Sequence, residues 1–206
     1  MKLTFALLSA VLICAPAHAG VMLSIQPSPV VANPGDTGDV FDVVLTNTTG
    51  GSIAVAGFSF EVSVTDPDIT LTSADFSPTL YAYIFAGDSL DQDAAQPLNT
   101  TSGQTLDGSD IYDIPGSAVT LTNNTSLALG EVFFSVSPTA ALGPFAVSFN
   151  SDPAATSLTD ASGNPVGIDT FTNGTINIVP EPSALPLTLA ALAAGFGLRK
   201  ALPRCR

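Results

Sequence analysis

Apolar and polar side chains alternate along much of the middle of this 206-residue chain. In residues 58–64, the polar residues Ser59, Glu61 and Ser63 separate the apolar residues one by one. Successive side chains of a strand point to opposite faces of a sheet, so this period predicts strands with one buried face. The same period occurs in residues 40–45, where Phe41, Val43 and Leu45 share one face, and in residues 131–136, 145–149 and 176–178.

Turn-forming residues separate these segments, and no segment has the 3.6-residue period of a helix. About nine or ten short strands at this spacing indicate an all-β fold, an antiparallel β-sandwich or jelly roll. Residues 88–113 are the exception. They are rich in Asp, Gln, Asn, Thr and Gly and are predicted to form a long loop or irregular insertion.

The middle of the chain also has no cationic side chain. Between Gly20 and Val179 there is no Lys, Arg, His, Cys or Trp, whereas 17 of the 18 acidic residues lie there. Contacts to nucleic-acid phosphates need Lys or Arg, so a nucleic-acid partner is excluded. A His base, a Cys nucleophile, a Lys Schiff base, a disulfide scaffold and a Cys/His zinc site are excluded in the same way.

The N-terminus has the pattern of a secretory signal peptide. Lys2 precedes the apolar residues 3–14, and Ala17-His18-Ala19 follows as a small-residue cleavage site. We expect a signal helix in residues 1–19, export through the Sec translocon and cleavage by signal peptidase before Gly20. Cys14 offers a lipoprotein alternative, but the preceding Ile13 is too large for that processing site.

The C-terminus combines three features in order. Pro180-Glu181-Pro182 is followed by the apolar residues 184–198 and then by a basic end that contains Arg199, Lys200, Arg204 and Arg206. Basic side chains resist translocation, so this end acts as a membrane stop. The apolar segment is about 15 residues, or roughly 22 Å as a helix, against a hydrocarbon core of about 30 Å. A short transmembrane helix of this length suits a transient anchor that awaits processing.

These residues resemble the PEP-CTERM sorting tail of Gram-negative bacteria. The resemblance implies recognition of Pro180-Glu181-Pro182 by an exosortase, cleavage nearby, and delivery from the inner membrane to the cell surface or extracellular matrix. A plain C-terminal membrane anchor with a proline-rich neck is the alternative. The chain then divides into a signal peptide (1–19), a folded domain (20–178) and a sorting tail (179–206).

The strands and turns of the middle resemble a cohesin-type domain. The residues that carry the resemblance are Pro34-Gly35-Asp36 before the strand at Val40, Gly57-Phe58-Ser59-Phe60, Leu129-Gly130-Glu131, Gly143-Pro144-Phe145 and Asn173-Gly174-Thr175. The resemblance implies a nine-stranded jelly roll related to carbohydrate-binding sandwiches. It also implies recognition of a protein through one sheet face, or adhesion to polysaccharide, without catalysis.

Three sets of side chains are candidate sites. Glycoside hydrolysis needs two carboxylates, but the strand alternation predicts that Glu61 and Glu131 are solvated charges on outward faces. Asp107, Asp110 and Asp113 are a candidate calcium site, because hard cations prefer oxygen ligands; otherwise they are solvated turn residues. Tyr81 and Tyr83 share a strand face and could stack on sugar rings, although Phe85 continues that face and equally indicates a buried stripe.

The sequence therefore predicts a non-enzymatic, exported surface or matrix protein with an adhesive, structural or polysaccharide-binding role. Its expected partners are the exosortase, the membrane during processing, and a neutral polysaccharide or a surface protein. A cohesin-like protein–protein interaction module is the alternative, and a secreted glycoside hydrolase is the least favoured hypothesis. No cofactor other than calcium is expected.

Overall fold

A computed structural model describes residues 20–181. They form two facing β-sheets and a single turn of helix, α1 (Leu90–Asp93). The strands are β1 (Val21–Gln26), β2 (Val30–Ala32), β3 (Thr37–Asn47), β4 (Ile53–Val55), β5 (Gly57–Val64), β6 (Ile69–Asp75), β7 (Thr105–Ile111), β8 (Val119–Leu121), β9 (Thr125–Val136), β10 (Gly143–Phe149), β11 (Ser157–Thr159), β12 (Pro165–Val166), β13 (Thr170–Thr172) and β14 (Gly174–Ile178).

The first sheet has the strand order β13-β1-β3-β9-β6. In the second sheet, β5 pairs with β7 on one side and with both β10 and β11 on the other, and β14 and β2 extend the sheet beyond β10. Most pairs are antiparallel; β1 with β13 and β2 with β14 are parallel. Strands β4 and β8 form a small separate ribbon. The predicted all-β sandwich is confirmed, and several of the additional strands have only two or three residues.

The core lies between the two sheets and contains the apolar sets that the alternation predicted. Phe41, Val43 and Leu45 of β3 are fully buried, and they face the inward residues of β5 across the sandwich. The rings of Phe41 and Phe134 lie 6.1 Å apart within this core. Burial of this apolar surface is the main driving force for folding.

The prediction that residues 88–113 form a loop is wrong for β7. This strand pairs with β5 over its whole length, but its inward positions are Leu106, Gly108 and Asp110. A Cβ atom at position 108 would lie 2.3 Å from Cζ of Phe60, so only glycine fits beneath that ring. A strand whose buried face contains a glycine and an acid has no apolar period to detect.

Residues 76–85, which we call the strap, connect β6 to the segment before α1. The strap pairs with β9, since the Ala128 amide donates to the Ala82 carbonyl and the Ile84 amide donates to the Ala128 carbonyl, both at 2.9 Å. The Tyr81 hydroxyl donates to Oε1 of Gln26 on β1 at 3.1 Å. The strap therefore covers part of the outer face of the first sheet.

Within residues 20–181, no helix is long and apolar enough to span a membrane. The predicted signal helix (1–19), transmembrane helix (184–198) and basic end lie outside the described residues, as do Ala17, Ala19 and Pro182. Gly20 begins the described part of the chain, and its amide donates to Oγ1 of Thr48 at 3.0 Å. Pro180 and Glu181 are exposed at the other end.

Candidate binding surface

The two outer faces of the sandwich differ in accessibility. On the first sheet, the outward residues Asp42, Val44 and Glu131 are buried. On the second sheet, the outward side chains of β7, β5, β11, β10 and β14 are all exposed or half-buried, and we call this surface the open face. Most of its central side chains are small and carry hydroxyl groups: Ser59, Ser63, Thr105, Ser109, Ser148, Ser157, Thr159 and Thr175.

A depression lies at one end of the open face, where Gly57 begins β5. Gly57 is the register partner of both Ile111 on β7 and Thr159 on β11, so a residue without a side chain lies between two residues that have one. A Cβ atom on Gly57 would lie 2.8 Å from Oγ1 of Thr159. The cavity has a volume of about 270 Å³, and Asp91 forms part of its wall. Ile111 is 57% exposed at its edge.

The helical turn α1 positions the Asp91 carboxylate beside this depression. Ser89 caps α1, because its hydroxyl accepts the Gln92 amide at 3.0 Å. The Asp91 amide donates to Oδ1 of Asp110 at 3.2 Å. Burial, and then the neighbouring Asp110, raise the pKa of Asp91 above its ordinary value. The depression therefore offers hydroxyl groups, an apolar edge and one acidic group to a side chain that enters it.

Two carboxylates face each other on the open face, Glu61 on β5 and Asp107 on the edge strand β7. Like charges at directly opposed positions of a sheet destabilise it, and residues 20–181 contain no Lys, Arg or His to compensate them. Asn150 donates to Oε1 of Glu61 at 2.8 Å. Burial tends to raise the pKa of Asp107, but hydrogen bonds from Thr100 and Thr101 outweigh it and lower that pKa. Asp107 is thus held ionised, and the repulsion between the two carboxylates is not offset by a cationic side chain of the described domain.

A buried carboxylate supports β7 from the inner side. Asp110 is 1% exposed and accepts the hydroxyl groups of Tyr83 and Ser89, both at 2.5 Å. Burial, followed by the Asp110 carboxylate, raises the pKa of the Tyr83 hydroxyl far above its ordinary value. These bonds connect the strap and the start of α1 to the edge strand of the open face.

The three residues of the predicted calcium site do not converge. Asp107 points outward from β7, Asp110 points inward, and Asp113 is exposed beyond the end of the strand. No group of three or more His, Cys, Asp or Glu side chains within residues 20–181 is arranged to hold a metal ion. Alternation separates Asp107 from Asp110 because residues three positions apart in a strand lie on opposite faces. The prediction of a calcium site at these residues is therefore wrong.

The expectation that Tyr81 and Tyr83 together offer two rings to a sugar does not hold for Tyr83. Tyr83 is 6% exposed, and its ring packs edge-on against Phe58, Phe76 and Phe85. Tyr81 is half-buried on the strap and is hydrogen-bonded to Gln26. The alternative, a buried stripe that includes Phe85, is confirmed for Tyr83.

Glu61 and Glu131 lie on opposite outer faces of the sandwich, since β5 belongs to the second sheet and β9 to the first. They cannot flank one glycosidic bond, which requires two carboxyl groups on either side of the same substrate. The prediction that both are solvated holds only for Glu61, because Glu131 is 5% exposed beneath the strap.

Solved structures of cohesins have the same fold as this chain. The sixth cohesin of Acetivibrio cellulolyticus scaffoldin B, solved in complex with a Cel5 dockerin, matches with a TM-score of 0.54 and 22% identity over 78% of this chain and 99% of its own. CaCohA2 from Clostridium acetobutylicum matches with a TM-score of 0.55 and 19% identity over 80% and 93% of the two chains. A non-cellulosomal cohesin from the archaeon Archaeoglobus fulgidus matches with a TM-score of 0.52 and 17% identity over 82% and 98%.

No protein-family model and no curated protein sequence matches the chain. The comparisons therefore establish the fold, which is a cohesin-like jelly-roll β-sandwich.

The depression at Gly57 and its wall residues Ser109 and Asp91 are not predicted by the sequence patterns. The sequence does contain one pattern that marks the outward face of β7. It is the run of every second residue, namely Thr105, Asp107, Ser109 and Ile111. That alternation is visible only when Gly108 and Asp110 are accepted as buried positions.

Proposed function

We propose that this chain is a non-enzymatic protein-recognition module that binds a partner protein through the open face. The observation that carries the proposal is the difference between the two outer faces: the strap and buried side chains occupy one, and accessible side chains, many of them small and hydroxyl-bearing, form the other. The cohesin-like fold supports the proposal, because several of the matched cohesins are described in complexes with dockerins.

The charge of the domain restricts the partner's chemistry. Residues 20–181 contain all 18 acidic residues of the chain and no Lys, Arg or His. A partner surface that carries Lys or Arg is attracted at long range and suffers no like-charge penalty at the interface. Glu61 and Asp107 provide the acidic centre, and the depression at Gly57 provides space for one side chain.

The terminal segments support export as part of this proposal. The Ala17-His18-Ala19 site and the Pro180-Glu181-Pro182 tail resemble signals for secretion and for exosortase processing. In this proposal the module acts at the surface or in the matrix of a Gram-negative cell. A polysaccharide-binding role has less support than protein recognition, because the aromatic ring expected to stack on sugar, Tyr83, is buried.

Paired substitutions on the two sheets test the binding face. Ser109→Arg places a long side chain at an exposed position of β7, the edge strand of the open face. Ser73→Arg places the same side chain at an exposed position of β6 in the first sheet. The full chain and both variants would be used to capture proteins from the extracellular fraction of the native host, and the captured partner would be titrated against each purified protein.

We expect Ser109→Arg to weaken binding of the captured partner at least tenfold, while Ser73→Arg binds as the wild type does. Tenfold corresponds to about 1.4 kcal/mol of binding free energy, which is typical for disruption of one important interface position. Equal affinity of all three proteins for the partner would overturn the proposed binding face. The protein-recognition proposal would be overturned if the full chain captured no protein but bound purified neutral polysaccharide.

A further inference from the structure

Three carboxylates lie side by side across the first sheet. Asp42 on β3 is the register partner of Glu131 on β9, and Glu131 is in turn the register partner of Asp75 on β6. Directly opposed residues of neighbouring strands project from the same face. All three therefore point to the outer face of the first sheet, and we call them the carboxyl ladder.

The strap covers the carboxyl ladder. The Thr79 amide donates to Oδ1 of Asp42 at 3.3 Å, and the Leu80 amide donates to Oδ2 of Asp42 at 2.8 Å. Asp42 is 0% exposed, and Glu131 is 5% exposed. Two carboxyl groups are thus enclosed between the sheet and the strap, and Thr79 of the strap hydrogen-bonds Glu131 as well as Asp42.

Oε1 of Glu131 is buried and has no hydrogen-bond partner. A buried charged oxygen without a partner is costly, and an ionised Glu131 would also face the carboxylates on both sides of it. No group of three acidic side chains in the described part of the chain is arranged to hold a metal ion. A proton on Glu131 removes the charge without any further ligand.

We propose that proton uptake by Glu131 in mildly acidic medium stabilises the closed position of the strap, in which it packs against the outer face of the first sheet. Asp42 from β3 and Asp75 from β6 are the ionisable groups that face Glu131. Among the strap's own ionisable groups, Tyr81 donates to Gln26 and Tyr83 donates to Asp110. The proposal is independent of the partner-binding role, because it concerns the opposite outer face of the sandwich.

The direction of the pH effect follows from the burial of the group. Burial, and then the charges of Asp75 and Asp42, raise the pKa of Glu131, although Thr79 partly offsets this rise. Closing the strap therefore favours the protonated acid. The closed strap is most stable near and below the ordinary carboxyl pKa, and this contribution is lost as the pH rises through the raised pKa of Glu131.

Amide hydrogen exchange of the strap in the full chain tests this proposal. At each pH the intrinsic exchange rate is divided by the observed rate, and the ratio is expressed as protection. We expect protection of residues 76–85 to increase as the pH falls from about 7.5 to about 4.5, by up to about tenfold for each pKa unit by which closure raises the pKa of Glu131. Glu131→Gln imitates the protonated acid, so its strap should be protected at every pH in this range. Glu61→Gln removes the same charge from the opposite face and should keep the wild-type pH dependence.

One further variant keeps the proposal open to refutation if Glu131→Gln fails to fold. Asp75→Asn removes one facing charge and should move the transition in protection to lower pH. The proposal is overturned if the wild type shows no pH-dependent protection of the strap, or if Glu131→Gln retains that dependence. It is also overturned if millimolar calcium at pH 7.5 restores protection to the wild type but not to Glu131→Gln, because the ladder would then be a cation site.

Discussion

Gly108 lies directly beneath the ring of Phe60, so closely that a Cβ atom at position 108 would overlap the ring. The two residues are register partners on β7 and β5, at one edge of the second sheet. The ring of Phe60 fills the space that a side chain at position 108 would take, so the edge strand is held close to β5 by a residue that has no side chain.

Gly108→Ala should therefore destabilise the protein by about 1–3 kcal/mol, since an added methyl group in a packed core forces neighbouring atoms to move. Urea unfolding followed by circular dichroism measures this change. Gly51→Ala is the control, because a Cβ atom at position 51 meets nothing within 4 Å and should leave the midpoint almost unchanged. Equal stability of the two variants would show that Phe60 and β7 can separate without cost.

Tyr83→Phe should destabilise the protein by about 1.5–3 kcal/mol, because it removes a hydrogen bond to the buried carboxylate of Asp110. Tyr81→Phe removes a bond at the half-buried surface of the strap and should cost at most about 1 kcal/mol. The melting temperatures of both variants and of the wild type, measured at pH 7, give the two losses of stability. The inference fails if Tyr81→Phe is the more harmful of the two.

The raised pKa of Tyr83 also predicts alkaline unfolding. The folded protein keeps the Tyr83 hydroxyl protonated, whereas in the unfolded chain it ionises near its ordinary pKa of about 10. The contribution of the protonated Tyr83 hydroxyl to the free energy of unfolding is therefore fully present below about pH 10, and it decreases as the pH rises above that value. Tyr83→Phe should flatten the decline in melting temperature above pH 10, and an unchanged decline would contradict the assignment.

Glu61→Lys should stabilise the isolated protein while it weakens partner binding. The substitution replaces the repulsion between Glu61 and Asp107 with an attraction, a change of about 0.2–1 kcal/mol for opposed residues of a sheet. Asp113→Lys changes the net charge equally at an exposed position outside the sheet and controls for the overall charge. Melting temperature and partner affinity should change in opposite directions only for Glu61→Lys.

Cleavage before Gly20 should create an ion pair at the start of β1. The Val21 amide donates to Oδ2 of Asp169 at 2.8 Å, and the Asp169 side chain lies against Gly20. A protein that begins at Gly20 has its terminal ammonium beside Asp169, whereas one that begins at Ala19 does not. We expect the former to be more stable by up to about 1 kcal/mol, and Asp169→Asn to abolish the difference.

Processing at both termini is tested by the intact mass of the protein recovered from its native host. We expect a chain that begins at Gly20 and ends near Pro182. Retention of Arg199 and the residues after it would indicate an uncleaved anchor and would contradict exosortase processing.

Strand alternation was sufficient to predict the sandwich, because residues such as Phe41, Val43 and Leu45 are buried by the same period that marks them in the sequence. The failures have a common physical origin. Gly108 and Asp110 are buried for reasons of space and hydrogen bonding rather than hydrophobicity, so β7 had no apolar signature.

The burial of Tyr83 and Glu131 could not be predicted from alternation either. Both depend on the path of the strap across a sheet, and the contacts that fix this path join residues far apart in the sequence. Tyr83 bonds to Asp110, and the strap amides bond to Asp42. A local period reports which face of a strand a residue occupies, but not whether another segment covers that face.

The absence of cationic side chains between the two ends affects how the protein responds to proteases. Between Lys2 and Arg199 there is no Lys or Arg, so trypsin-like proteases, which cleave after these residues, have no substrate bond in the domain. Folded proteins usually resist proteolysis because cleavable bonds are rarely exposed. Here the resistance to this class of protease is built into the composition and persists even when the domain unfolds.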